Sequence, residues 1–310
     1  MRSTTVAVPN SSNTAEHPSR VSVLLRRVDA YIELTKPRMV LMILVTTAAG
    51  FYLGMQGGVN WMLFGHTLIG SGLTAAGVLG LNQYIERDID ALMARTQHRP
   101  LPLGKIHGME ALVFCVLLTA GGMLYLTTFV NPLSGFIISL IVVSYLFIYT
   151  PLKRSTSLCT LVGAFPGALP PVVGWVAAQG KLSGSACVLF AILFLWQLPH
   201  SLAIAYIYRK DYADAGLKLL PVIHPDGLST RRQIVINCVA LFGIGLLPTL
   251  FNISGGIYFL VALLVGGMFL ISGIYFDKRP TVKTARYVLY ASLLYLPLIF
   301  ITMAIDKISL

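Results

Sequence analysis

Charge is what this 310-residue sequence has least of. Only 11% of its residues are Asp, Glu, Lys or Arg, 56% are apolar, and the mean hydropathy is +0.77. That composition leaves no room for a soluble domain and describes a polytopic membrane protein. Cysteine is scarce too. Cys115, Cys159, Cys187 and Cys238 fall within or at the ends of apolar stretches, with no paired spacing. A disulfide framework and a zinc site are therefore unsupported, and packing roles are expected. Residues 1–20 are rich in Ser, Thr and Asn and lack the apolar run of a signal peptide. We read residues 1–30 as a disordered cytoplasmic tail and 31–310 as a single domain.

What the chain does have is long hydrophobic runs. Nine of them, at roughly 39–55, 61–83, 109–129, 132–150, 159–178, 184–207, 233–252, 255–275 and 285–304, can span or nearly span about 30 Å of hydrocarbon. The expected fold is all-α: nine transmembrane helices around a central cavity. Basic residues fix the orientation. Of the 23 lysines and arginines, 21 fall in the N-terminal segment and the 87–106, 151–158, 208–232 and 276–286 loops, leaving Lys181 and Lys307 for the other side. The positive-inside rule then puts the N-terminus in the cytoplasm and the C-terminus opposite. Confined to one membrane face, the net charge of +11 is a topology signal and a lure for anionic or phosphorylated ligands. It is not a nucleic-acid footprint.

The 12 acids are scarcer than the bases, and three of them crowd into residues 86–90. Asn82, Glu86 and Asp90 recur every four residues. On a helix of roughly 3.6 residues per turn this drifts only about 40° per step, so the three share a face. Charge runs are most often solvated helix ends, but these acids follow the 61–81 apolar run without a polar spacer. Ionisable groups at that depth mark function. Two carboxylates and an amide suit Mg²⁺, which typically takes one or two carboxylates and fills its shell with substrate phosphates and water. Glu86 and Asp90, with Asp88 as a third acid, are the candidate ligands, and Asn82 could complete the shell or donate to a phosphate. Arg95 and Arg99 follow, and Lys153 and Arg154 sit on the next cytoplasmic loop. Guanidinium groups match phosphate oxygens in pairs, and lysine adds a compact charge. Metal and cations at a membrane face point to a diphosphate carrying a lipid-soluble tail, a prenyl diphosphate.

Two other features bear on a cavity. The 87–106 and 208–232 loops each open with acids and bases and end near Leu-Pro, at Leu101-Pro102 and Leu220-Pro221. This suggests a four-helix repeat with a ninth helix added, its two polar loops facing each other over one cavity. The stretch Gly163–Trp175 is dense in Gly, Ala and Pro, and reads either as a kinked packing helix or as a broken helix that shapes the cavity wall.

The pattern Asn-x3-Glu-x3-Asp followed by Arg-Thr-x-x-Arg-Pro-Leu resembles the first acidic motif of the UbiA-type intramembrane prenyltransferases. Further segments are similar to the protohaem farnesyltransferase branch of that superfamily. They are Leu34-Thr35-Lys36-Pro37-Arg38, Tyr149–Arg154 with Pro170-Pro171-x-x-Gly174-Trp175, and Trp196–His200 with Lys210-Asp211-Tyr212-x-x-Ala215-Gly216 and Leu220-Pro221-Val222. The resemblance covers residues 34–222. It implies Mg²⁺-dependent transfer of a farnesyl group from farnesyl diphosphate to a vinyl group of haem b, with water addition, in the inner (plasma) membrane. It also implies links to haem A synthase or terminal oxidase assembly. Two departures stand out. Glu86 occupies a position where the family commonly has Asp. Where the wider superfamily has a second acidic set, this chain has His200, Ser201, Asp211 and Asp214, of which Asp211 is a candidate metal ligand.

His200, Trp196 and Tyr149 are the expected haem-cavity residues. His200 has three readings open: a structural hydrogen bond, an axial ligand to haem iron, or a general base. Tyr84, Tyr145, Phe147, Tyr149 and Trp196 could face an allylic cation, although core packing is the commoner role for an aromatic. Two alternative functions remain open at this point. One is a membrane transporter or haem-delivery protein, and the other a quinone-type aromatic prenyltransferase.

Overall fold

The structure is a computed structural model that describes residues 20–308, and residues 1–19 of the expected tail lie outside it. Residues 20–30, expected to be disordered, instead belong to helix α1 (Arg20–Thr35). Packing explains the difference. Ala30 and Leu34, four apart, bury beside Val78, Leu81, Ala111 and Cys115, and Arg27 donates to Glu110 at 2.9 Å. Arg20, Arg26, Arg27 and Asp29 interrupt the apolar residues of this segment, and that mixture hid the narrow stripe that packs.

Nine further helices among the described residues are long and apolar enough to cross a membrane, making this a multi-pass membrane protein. They are α2 (Pro37–Gly54), α3 (Trp61–Asp90), α4 (Gly108–Phe129), α5 (Pro132–Leu152), α6 (Cys159–Gln179), α7 (Gly184–Ile207), α8 (Leu228–Leu250), α9 (Gly256–Lys278) and α10 (Val282–Ile305). Each matches one of the nine apolar runs. The largest boundary difference is informative: α3 continues past residue 83 to Asp90. Its 30 residues make about 45 Å of helix, more than a bilayer core needs. The surplus turns carry Glu86 and Asp90 beyond the apolar layer while keeping them on a rigid element.

Two departures from regular α-helix shape the interior. Residues Ser144–Tyr149 of α5 form a π-helical segment, a feature frequent at functional sites. α6 breaks at Leu169, where Pro170 opens a second segment that runs to Gln179. Both readings of the Gly/Pro-rich stretch apply, one to each half. Gly163, Ala164, Pro166, Gly167 and Pro170 line the cavity described below, while Pro171–Ala177 are buried in packing.

That packing depends on the absence of side chains. A Cβ at Gly174 would lie 1.9 Å from the carbonyl oxygen of Thr47, and one at Gly50 would lie 2.0 Å from that of Pro171. Backbone atoms of α2 and α6 are in mutual contact, so neither can give way. Gly174→Leu should therefore destabilise the fold by about 3 kcal/mol, the upper range for overpacking. A lowered melting temperature in thermal size-exclusion analysis is the expected result, and an unchanged one would contradict the close approach.

Cys115, Cys159 and Cys238 are buried, whereas Cys187, also expected to pack, is exposed. At the end of the bundle away from the acids, Lys307 donates to the carbonyls of Tyr52 and Met55 at 2.7 Å each. This joins the C-terminal segment to α2. The basic loops gather at the other end: the amide of Lys218 donates to the carbonyl of Lys153 at 3.0 Å, and Tyr206 donates to the carbonyl of Pro280 at 3.0 Å.

Candidate functional site

A cavity of about 730 Å³ occupies the middle of the bundle. Its walls come from α2, α3, α5, α6, α7 and α10 and are mostly apolar, including Ile43, Val78, Leu79, Ile138, Ile141 and Leu193. Met39 and Met42 of α2 and Leu293 of α10 also line it, yet each is about half exposed. The cavity thus opens sideways between the first and last spans, toward lipid. At the end where the basic loops gather, its rim carries Arg38, Arg95, Tyr149 and Tyr212.

Behind that rim lies a dense charged cluster. Lys153 donates to Glu86 Oε1 at 2.7 Å, with both side chains largely buried. Arg99 pairs with Asp90, whose side chain is only 1% exposed. Asn82 Nδ2 donates to Thr150 Oγ1 at 3.3 Å, and Thr150 in turn donates to the carbonyl of Tyr145 at 2.8 Å. The π-helical segment makes this possible. Its wider turn brings Tyr145 and Tyr149 to the cavity with ring centroids 5.2 Å apart, and Lys153 sits 4.5 Å above the Tyr149 ring. The cluster therefore abuts the cavity through Tyr149 and does not line its volume. Its own ion pairs hold it closed.

The structure brings only some of the sequence candidates together. Asn82, Glu86, Asp90, Arg99 and Lys153 converge. Arg95 stands at the rim, donating to the Tyr212 hydroxyl at 3.2 Å and lying near the rings of Tyr208 and Tyr212. The two polar loops do meet over the cavity mouth at this contact. Asp88 is elsewhere: it is 82% exposed, pairs with Arg87, and faces a shallow surface hollow shared with Arg154. Two residues of offset on a helix turn a side chain by about 200°, which puts Asp88 on the face opposite Glu86 and Asp90. Arg154 is likewise exposed and outside the cluster. Asp211 is half-buried on the short helix Arg209–Asp214. No group of three His, Cys, Asp or Glu side chains with metal-binding geometry occurs among the described residues. Of the aromatics, Tyr145, Tyr149 and Trp196 line the cavity. Phe147 is 71% exposed on the lipid side, and Tyr84 packs under Arg87.

Lys36 was not among the candidates, although its segment was singled out. It links α1 to α2 with φ 51°, a left-handed conformation that costs a non-glycine residue on the order of 1–2 kcal/mol. That turn directs it into the cluster. Burial, then the nearby Arg99, lower its pKa to about 8, against the opposing pull of Glu86 and Asp90. Lys153 behaves oppositely. Burial acts to discharge it, but Tyr149 and Glu86 prevail and its pKa rises. Three cations, Lys36, Arg99 and Lys153, thus face two carboxylates, and Arg38 and Arg95 stand at the rim. The surplus favours an anion. Lys36 was findable in principle, as a lysine placed directly before the helix-initiating Pro37.

Deeper in the cavity, His200 Nδ1 lies 2.8 Å from Ser292 Oγ, and the Trp196 ring stacks on the imidazole at 4.9 Å and 20°. Gln197 donates to the carbonyls of Ala164 and Leu193.

Residues 43–304 match the model of the UbiA prenyltransferase family. The chain is 48% identical over 286 residues to a protein of Solibacter usitatus named protoheme IX farnesyltransferase, covering 89% of this chain and 98% of that protein. A protein of the same name from Koribacter versatilis is 43% identical over 288 residues, covering 89% and 93%. Among solved structures, one described in work on digeranylgeranylglyceryl phosphate synthase matches with a TM-score of 0.79 at 18% identity, over 92% of this chain and 99% of that one. A UbiA homologue from Archaeoglobus fulgidus bound to DMAPP and Mg²⁺ matches at 0.64 and 17% identity, over 89% and 99%. The last two show a shared fold. The chain belongs to the UbiA prenyltransferase family.

Proposed function

From that membership, we propose that the chain transfers the farnesyl group of farnesyl diphosphate to a vinyl group of protohaem IX. Water adds in the same reaction, haem O forms and diphosphate leaves. The relatives' name supplies the substrates. The observation that carries the reading is a cationic cluster set against the end of a large apolar cavity that contains a histidine. A prenyl diphosphate needs the first two, and a porphyrin has use for the third.

Lys36, Arg99 and Lys153 draw in the diphosphate, and Arg95 and Arg38 guide it at the rim. As the anion binds, Lys153 and Arg99 turn from the carboxylates to the phosphate oxygens, freeing Glu86 and Asp90. Those two carboxylates, with the Asn82 amide, then suit a Mg²⁺ that arrives with the substrate, because such a site needs only two protein acids. When bound, the metal neutralises charge on the departing diphosphate. Asp88, Arg154 and Asp211 have no part in this arrangement. As the allylic C–O bond breaks, the electron pair leaves with diphosphate and the cations stabilise it. The terminal vinyl carbon forms the new C–C bond to C1 of the farnesyl group. Water then adds to the cation left beside the pyrrole and releases a proton. Tyr145, Tyr149 and Trp196 line the path with aromatic faces, and the apolar walls limit water to that final step.

In this reading the cluster faces the cytoplasm across the inner (plasma) membrane, with the N-terminus inside and the C-terminus outside. The product would pass to haem A synthase or to terminal oxidase assembly. A transporter would carry its charge near the midplane, whereas the acids here stand at one end. The test is purified protein in lipid with haem b, farnesyl diphosphate and Mg²⁺, followed by mass analysis of the haem. Haem O is expected and should disappear with a chelator. Transfer to a quinone precursor but not to haem would overturn the reading.

A further inference from the structure

We infer that His200 is held in a single tautomer by Ser292 of α10, so that its Nε2 lone pair takes the iron of the haem substrate as an axial ligand. The inference rests on the proposed reaction only in taking haem as the molecule that enters the cavity.

The tautomer follows from where protons can be. Ser292 Oγ lies 2.6 Å from the carbonyl oxygen of Leu289, one turn back on α10. A carbonyl has no proton to give, and two oxygens at that separation repel unless one lies between them. The serine hydroxyl therefore donates to Leu289. Its only proton is then used, and it can only accept from His200 Nδ1, 2.8 Å away. Nδ1 carries the proton and Nε2 carries the lone pair. Nε2 has no hydrogen-bond partner and is not sealed from the cavity among the described residues.

The ring is also fixed in orientation. Trp196 precedes His200 by one helical turn, on the same face of α7, and stacks on it. The indole N–H of Trp196 donates to the carbonyl of Ser292 at 2.8 Å. One fully buried residue therefore anchors both rings, accepting one bond on its backbone and one on its side chain. Histidines that bind metal characteristically pass their second N–H to such an acceptor, which sets tautomer and basicity.

The same surroundings argue against proton acceptance by His200. A general base becomes imidazolium, and in histidine dyads a carboxylate usually stabilises that charge. No Asp or Glu lines this cavity among the described residues, and the partner here is a neutral hydroxyl. An unpaired charge in an apolar wall is costly, whereas a neutral imidazole bound to iron adds no charge of its own. Cys159, another group able to ligate iron, lies at the polar end beside Thr160 and Tyr149. Ligation there would push the porphyrin into the diphosphate cluster.

The experiment is haem b titration of the full-length purified protein, read by absorption and by the iron–histidine stretch of the ferrous form. Wild type should show a histidine-ligated spectrum. His200→Ala should lose it and bind haem about tenfold or more weakly, in the range seen when metal-site partners are removed. Added imidazole should restore the spectrum of haem that co-elutes with the variant in size-exclusion chromatography, which a misfolded variant would not allow. Ser292→Ala should keep the ligand but lower the iron–histidine stretch and raise the haem midpoint potential, because Nδ1–H loses its acceptor. Ser292→Thr should behave as wild type. Turnover is measured separately. An unchanged spectrum in His200→Ala alongside active wild type overturns this inference and leaves the reaction standing. A His200-dependent spectrum without any haem O supports the inference and sinks the reaction. A stretch unmoved in Ser292→Ala overturns the role given to Ser292.

Discussion

Asp90→Ala is expected to lower haem O formation by about 10³-fold, and Glu86→Ala by about 10²-fold or more, the range for removing a charge-stabilising group. The order reflects depth. Asp90 is almost wholly enclosed and paired with Arg99, whereas Glu86 keeps some solvent contact. Removing either acid also strands its cation, which by itself could cost stability. Asp90→Asn and Glu86→Gln keep the shape, and monodisperse elution at wild-type yield separates lost chemistry from lost fold. Glu86→Asp should retain most activity: the charge stays, and Lys153 is long enough to follow the shorter side chain. Well-folded Asp90→Asn protein with wild-type turnover would remove Asp90 from the reaction.

Much of this was legible in the sequence, and the reason differs from feature to feature. The nine spans were readable because hydrocarbon thickness sets a length, and composition alone fills it. The convergence of Asn82, Glu86 and Asp90 was readable because all three stand on one helix at one spacing. Legibility stopped where a residue's place depends on another element. Asp88 and Arg154 have the right chemistry two residues and one residue from true cluster members, but the helix turns Asp88 outward and the loop leaves Arg154 in solvent. Lys36 enters through a left-handed backbone turn that no periodicity announces. Ser292 lies 92 residues from His200 and is one of many apolar-helix serines. Residues 20–30 looked like tail because their apolar stripe is narrow and only tertiary contact reveals it. The acidic motif and two of its cations, Arg99 and Lys153, thus pointed to the cluster, and Lys36 had to be read from the fold.

Lys153 offers the sharpest division between the two substrates. Lys153→Met should raise the KM for farnesyl diphosphate by about 100-fold, which corresponds to losing one or two charge-assisted hydrogen bonds to phosphate. Haem affinity should stay within about twofold by the same reasoning, since Lys153 stands above Tyr149 at the cavity's polar end and His200 lies deeper on α7. The confounding effect is Glu86, left buried and unpaired in the variant. It could collapse the site at a cost of about 3–5 kcal/mol. The double variant Lys153→Met with Glu86→Gln removes that stress. If it regains stability but not farnesyl diphosphate binding, the lysine acts on the substrate itself. If stability and binding of both substrates rise and fall together across the two variants, the Lys153–Glu86 pair is a structural clasp. The anion site would then have to be carried by Arg99, Lys36 and the rim arginines.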